Sequence, residues 1–213
     1  MIPMNILRGI FPRTHNKENK DSVQDILLVL YLLNEAGERI SGSSVLMAKI
    51  KLLKLVFLSE KEMVDGRLKG FNFFFNVYKH GPSSIELLNM IDHLSDQKLI
   101  TYQERTFCIT EKGKELISEF IFSVTDNTAF FNVIDNILTQ YGDLSPEKII
   151  EKVYAMEMKP MHSDEQINIG EAVKTSARKR LLMKLDSSEA AKELNVPDDW
   201  IETVNFSMNP EFV

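Results

Sequence analysis

Between residues 22 and 122 the spacing of apolar residues changes from that of a helix to the alternation of a strand and back. This succession of helical and strand patterns constrains the fold more than any other feature. Apolar residues recur at helical spacing over residues 22–37 and 45–64, and in the second segment Lys49, Lys51 and Lys54 point in other directions. Alternation follows in FNFFFNV, residues 71–77, which predicts a half-buried strand. Helical spacing returns over residues 83–98. A hairpin is predicted over residues 100–110, and another helix, with Thr110 placed to cap it, follows.

Local signals predict where several helices begin. Ser22 is placed to cap the first helix. Ser83 and Glu86 have the spacing of a capping box, in which a hydroxyl and a carboxylate satisfy unpaired amides at a helix start. Ser145 followed by Pro146 is a strong start signal for a later helix. The rest of the chain is predicted to be helical, including the basic segment KTSARKRLLMK, residues 174–184.

The order helix, helix, helix, hairpin, helix is that of a winged helix. In that architecture the helix before the hairpin is the recognition element and the hairpin tip, here Glu104–Arg105, is the wing. The sequence therefore predicts a mostly α fold with a small β wing: a winged-helix-like unit plus a C-terminal helical extension. The predicted domains are a mobile tail over residues 1–20, the winged-helix-like domain over 21–122 and a helical region over 123–213.

Composition favours a soluble cytoplasmic protein. The longest apolar stretch, Ile26–Leu33, has eight residues, whereas a membrane-spanning helix needs roughly 20. The single cysteine, Cys108, excludes an intramolecular disulfide and fits a reducing compartment. The net charge of −6 argues against a protein that coats nucleic acid without selectivity.

No complete catalytic or metal-binding constellation is present in the sequence. The four histidines are scattered, and Cys108 has no cysteine partner at a ligand spacing. Residues 37–44 imitate the glycine spacing of a phosphate-binding loop, but Ser43 stands where that loop needs its lysine. We therefore expect no enzymatic activity, no catalytic residues, no cofactor and no bound metal.

Three segments carry a resemblance to a known family: KIKLLKLVFLSE (residues 49–60), FFFNVYKHGPSS (73–84) and IELLNMIDHLSDQKLI (85–100). Their pattern of a Lys-Leu-x-Lys-Leu helix, an aromatic strand and a Tyr-x-x-Gly-Pro joint resembles the YwgA-like and SocA (Panacea)-type prokaryotic proteins. The resemblance covers residues 22 to about 155. It implies a mostly helical fold with a small wing, no known catalytic centre and, in the Panacea branch, an antitoxin that neutralises a partner protein.

The Gly-Pro pair after the aromatic strand predicts a structural joint formed by Tyr78, His80, Gly81 and Pro82. Proline disfavours helical geometry at the preceding residue and lacks an amide hydrogen, while Gly81 can adopt torsions closed to other residues. Together they are predicted to stop the strand and orient the next helix.

Two functions stay open, a protein-interaction module and a DNA-binding transcriptional regulator. The predicted recognition helix carries Glu86, Asp92 and Asp96, which would repel phosphates and favour a protein partner. The basic segment favours the alternative, because on a helix its cations would form two neighbouring rows. The candidate contact residues for nucleic acid or a partner are Arg105, Lys174, Arg178, Lys179, Arg180 and Lys184. A homodimer is also open.

Overall fold

The computed structural model describes residues 19–39, 47–103, 106–159, 165–175, 180–182 and 185–208. Within these ranges helices dominate and the strands are short, which confirms the predicted fold class. The helices are α1 (Asn19–Arg39), α2 (Lys49–Asp65), α3 (Ile85–Asp96), α4 (Glu111–Ser123), α5 (Thr128–Tyr141), α6 (Pro146–Tyr154), α7 (Ile169–Lys174) and α8 (Asp198–Met208). The strands are β1 (Met47–Ala48), β2 (Leu68–Lys69), β3 (Phe75–Tyr78), β4 (Gly81–Ser83), β5 (Ile100–Gln103), β6 (Thr106–Ile109), β7 (Glu157–Met158), β8 (Ile167–Asn168), β9 (Arg180–Leu182) and β10 (Lys192–Glu193).

A three-stranded sheet, in the order β1-β6-β5, forms the wing. Strands β5 and β6 pair antiparallel from Ile100 opposite Ile109 to Gln103 opposite Thr106, and β1 adds to β6 on the other side. The predicted hairpin is therefore correct, while its tip, Glu104–Arg105, lies outside the described residues. The helix after it begins at the expected cap, since the Thr110 hydroxyl accepts a hydrogen bond from the Gly113 amide.

Helix α1 is the central element of the core. Its leucines from Leu27 to Leu33 are at most 3% exposed, and a helix that is apolar on all sides must be covered on all sides. The helix begins at Asn19, so the prediction that Ser22 caps it is wrong, and Ser22 lies in the first turns. None of the helices within the described ranges is long and apolar enough to cross a membrane.

One hydrophobic core includes residues on both sides of the predicted boundary near residue 123. The α8 side chain Trp200 packs edge-on against Phe120 of α4, with ring centroids 5.3 Å apart. Helix α5 packs on both α1 and α2. The described parts of the C-terminal region are thus joined to the winged-helix elements through shared apolar contacts.

The predicted capping box at Ser83 and Glu86 is wrong. The N-cap of α3 is Ser84, whose hydroxyl accepts a hydrogen bond from the Leu87 amide. Ser83 is held in β4 opposite Asn76, so the helix starts one residue later than predicted. The Glu86 carboxylate accepts a hydrogen bond from the Phe74 amide at 3.2 Å instead.

The aromatic strand is shorter than predicted, because regular pairing begins only at Phe75. Phe71 and Phe73 are buried as the alternation predicts, but Asn72 between them is also buried. The backbone amide of Asn72 donates a hydrogen bond to the Asp25 carboxylate of α1 at 2.7 Å. This carboxylate takes the place of the carbonyl that a neighbouring strand would supply.

The prediction that the basic segment is helical is wrong for residues 180–182. Helix α7 ends at Lys174, and Arg180 lies in β9, which pairs antiparallel with β3. The backbone groups of the strand Arg180–Leu182 form hydrogen bonds through sheet pairing instead of within a helix. Tertiary contacts therefore override the helical pattern. Three further strands, β7, β8 and β10, lie in the C-terminal region that was predicted to be helical.

Candidate functional site

A second three-stranded sheet, in the order β4-β3-β9, brings together the Gly-Pro joint and the basic segment. Tyr78 pairs with Gly81, so Lys79 and His80 form a two-residue turn between β3 and β4. On the other side of β3, Asn76 pairs with Arg180. Elements separated by about 100 residues in the chain therefore form one surface, which we call the joint sheet.

Glycine is required at position 81 by the backbone and by a close neighbour. Gly81 has φ of +82°, and a Cβ placed on it would lie 2.9 Å from Cε1 of Tyr154. The Tyr154 hydroxyl donates to the Lys79 carbonyl at 3.3 Å, which places this ring against the turn. Gly81 and Pro82 lie in the returning strand of a hairpin, whereas the sequence pattern predicted that they stop a strand ahead of a helix.

A buried lysine holds the returning strand. Lys54 of α2 is 1% exposed, and its ammonium donates to the Pro82 carbonyl at 2.6 Å. Burial lowers the pKa of Lys54 to about 8. The prediction that this side chain lies away from the apolar face is wrong. The signal was available, because Lys54 stands within the otherwise apolar run LLKLVFL.

The second lysine of the same motif also ends on a backbone carbonyl. Lys51 donates to the Gly142 carbonyl at the end of α5, and burial lowers its pKa. Lys-Leu-x-Lys-Leu and Tyr-x-x-Gly-Pro, the two motifs that carry the family resemblance, are therefore in direct contact through Lys54 and Pro82. Both lysines act here as donors that fix the ends of neighbouring elements.

The outward side of the joint sheet combines aromatic, amide and guanidinium groups. Tyr78 is 62% exposed, and Asn76 and Arg180 are partly exposed. The Arg180 guanidinium carbon lies 4.4 Å from the centroid of the Phe74 ring, a distance at which a cation is attracted to the ring face. This contact limits the motion of Arg180 and keeps its planar group at the surface.

The other predicted contact residues divide into two groups. Lys174 ends α7, which packs against β3 and β4, and its ammonium is 2.7 Å from the Glu171 carboxylate. The remaining candidates lie outside the described residues: Arg105, Arg178, Lys179 and Lys184. The structure thus brings Tyr78, His80, Gly81, Pro82 and Arg180 together in one sheet.

Helix α3, the element that would enter a DNA groove in a winged helix, exposes a stripe formed by Ile85, Asn89, Asp92 and Asp96. Their spacing of four, three and four residues places them on one helix face. Ile85 is 67% exposed, and two of the four residues are carboxylates. Burial lowers the pKa of His93 on the same helix, so its imidazole is neutral near pH 7 and offsets none of this charge.

Within the described ranges, no group of three or more histidine, cysteine, aspartate or glutamate side chains is placed to hold a metal ion. Cys108 is partly buried in β6, and burial raises the pKa of its thiol, which disfavours the reactive thiolate.

No family model matches the chain, and no curated protein matches its sequence.

Proposed function

We propose that this chain is a non-enzymatic prokaryotic protein-interaction module with an antitoxin-like role, the neutralisation of a partner protein, and that it is related to the YwgA-like and Panacea-type proteins. The observation that carries the proposal is the exposed stripe of α3, in which Asp92 and Asp96 face solvent. A recognition helix in the major groove lies between two phosphate backbones, and carboxylates there oppose binding.

The composition of the joint sheet supports a protein partner. Tyrosine and arginine are enriched among the residues that contribute most to protein–protein binding, and Tyr78 and Arg180 lie on adjacent strands here. The hairpin fixes the backbone of Tyr78, and the contact with Phe74 positions the Arg180 side chain before any partner arrives. Such preorganisation lowers the entropy lost on binding.

The family relationship is supported by a contact. The Lys-Leu-x-Lys-Leu and Tyr-x-x-Gly-Pro motifs lie 28 residues apart at their contact point, and the buried hydrogen bond from Lys54 to Pro82 links them. The acceptor is a backbone carbonyl, so the bond ties Lys54 to the path of the chain at residue 82, which follows the left-handed torsion of Gly81.

The alternative function is DNA-binding transcriptional regulation. The wing and the basic segment favour it, with Arg180 exposed in part on the joint sheet. Against it, Arg180 is in a strand, so the predicted helical row of Arg180 and Lys184 is not formed.

Two measurements test these functions. Fluorescence anisotropy with a labelled duplex of mixed sequence, across a salt series, is expected to show negligible binding by the wild type. If the alternative were correct, the wild type would bind the duplex tightly and the Arg178→Glu/Arg180→Glu variant would lose this binding. Any binding left in the variant would have a log–log dependence of affinity on salt that is flatter by about 0.9 per phosphate contact removed.

The positive test is photocrosslinking in the native host. A photoreactive residue replacing Tyr78 is expected to give a discrete protein adduct, which Arg180→Glu weakens. The same residue at Phe122, which is 90% exposed on α4, is the control and is expected to give none. Absence of a protein adduct from position 78 would contradict the interaction proposal. If the captured partner, expressed alone, does not inhibit growth, the antitoxin-like role fails.

A further inference from the structure

A groove of about 240 Å³ lies between α2, α5 and β7, and its lining differs from the joint sheet. Its apolar part is formed by Leu58, Ile137, Tyr141 and Met156. This volume is below the range of roughly 300–1,000 Å³ that is usual for small-molecule sites. The volume of the groove therefore matches one large side chain better than a cofactor or metabolite.

The rim of the groove is acidic. Glu62 at the end of α2 and Glu157 in β7 both line it, and both are exposed. Lys61 also lines the groove, but its ammonium is 2.5 Å from the Asp65 carboxylate, one turn further along α2. The charge of Lys61 is thus paired with Asp65, whereas the two glutamates are exposed to solvent at the groove.

We propose that this groove binds a short segment of the partner protein that inserts one leucine or phenylalanine and carries lysine or arginine on either side. The proposal rests on the proposed interaction function and names the chemistry of the partner. An apolar anchor in a pocket supplies affinity, and opposite charges at the rim supply orientation and speed of association. A second copy of this chain is a poorer occupant, because each copy carries a net charge of −6.

The test uses three fluorescein-labelled peptides with the purified full chain: GKRLFLRKG, GEDLFLDEG and GKRSNSRKG. They contain the apolar centre with basic flanks, the same centre with acidic flanks, and basic flanks without the apolar centre. Anisotropy at about 50 mM NaCl, where charge interactions are weakly screened, should show the first peptide binding at least about tenfold tighter than either other peptide.

Charge reversal at the rim locates the binding site. Glu62→Lys/Glu157→Lys should weaken binding of the first peptide about tenfold or more, because two attractions become repulsions. The matched control is Glu115→Lys/Glu119→Lys, which reverses two exposed glutamates on α4 and should leave the affinity unchanged. Circular dichroism of both variants establishes that each is folded.

The proposal is overturned if the wild type does not bind the first peptide, if GKRSNSRKG binds equally well, or if the α4 variant loses as much affinity as the rim variant. Its failure is distinguishable from failure of the proposed function. An adduct from position 78 without peptide binding would reject the groove alone, and peptide binding without any adduct would contradict the interaction proposal while leaving the groove as a peptide site.

Discussion

Replacing Lys54 by methionine is expected to change how stability depends on pH. Lys54 is 1% exposed, and its ammonium donates to the neutral Pro82 carbonyl at 2.6 Å. Burial lowers its pKa to about 8, whereas the unfolded chain has the ordinary value of 10.5. Between these values the unfolded state binds a proton that the folded state has lost, so stability from this group rises with pH.

The size of the effect follows from the two pKa values. Between pH 8 and pH 10.5, each pH unit changes the free energy of unfolding by up to about 1.4 kcal/mol. The contribution of Lys54 to stability should therefore grow by roughly 2.5 kcal/mol between pH 7 and pH 10. Methionine has a similar length and no titrating group. At pH 7 the substitution removes a buried charge, which raises the free energy of unfolding, and removes the bond to Pro82, which lowers it. The two proteins should therefore differ in free energy of unfolding by about 1 kcal/mol or less at this pH.

Urea unfolding measured at pH 7, 8, 9 and 10 tests this reasoning. Trp200, the single tryptophan, packs in the core and reports on unfolding by fluorescence, and circular dichroism at 222 nm provides a second probe. Lys61→Met, on the same helix but partly exposed, is the control and should follow the wild-type pH profile. Profiles for wild type and Lys54→Met that stay parallel within about 0.5 kcal/mol would refute the argument.

Two further substitutions test the joint sheet and the C-terminal strand. Gly81→Ala should lower the free energy of unfolding by about 2 kcal/mol or more in urea titrations, because φ is +82° and the new Cβ meets Tyr154. Gly37→Ala is the control: this glycine lies inside α1 with open space around it, so the substitution should raise the free energy of unfolding by about 0.5–1 kcal/mol. Equal effects at both glycines would contradict the role of the hairpin geometry. Burial alone raises the pKa of Glu193, but hydrogen bonds and the nearby Lys69 charge outweigh it and hold the pKa at about 2. Glu193→Gln should therefore cost about 1–2 kcal/mol at pH 7, and the loss should shrink as pH falls from about 4.5 towards 2; a pH-independent loss would contradict the ion-pair explanation.

Local sequence signals predicted the elements whose stability is local. The cap at Thr110 and the start at Ser145–Pro146 are correct because each depends on a hydroxyl accepting from an amide three residues later. The wing hairpin is correct because alternation over residues 100–109 places Ile100 and Phe107 in the core.

The errors occur where distant partners decide the structure. Residue 180 lies in a strand because β3 is available to pair with it, and no signal near residue 180 contains that information. Asn72 is buried because Asp25, 47 residues away, accepts from its amide. The same limit applies to the candidate site, since the sequence named Tyr78 and Arg180 separately but could not show that they share a sheet.

The C-terminal region supplies part of each surface proposed to bind a partner, although the family resemblance extends only to about residue 155. Strand β9 adds Arg180 to the joint sheet, and β7, which lines the groove, is paired with β8. Strand β10 is fixed to the N-terminal half through a parallel ladder with β2 and the contact of Lys69 with Glu193 at 3.4 Å. The contact of Lys54 with Pro82 between the two motifs, in contrast, lies inside the core, while Tyr78 of the second motif lies on the surface. On the proposed function, a core fixed by Lys54 and a binding surface completed by residues outside the resemblance would let proteins of one fold recognise different partners. Partner choice should therefore follow exchanges of residue 78 and of residues 157–182 more closely than exchanges of Lys54 and Pro82.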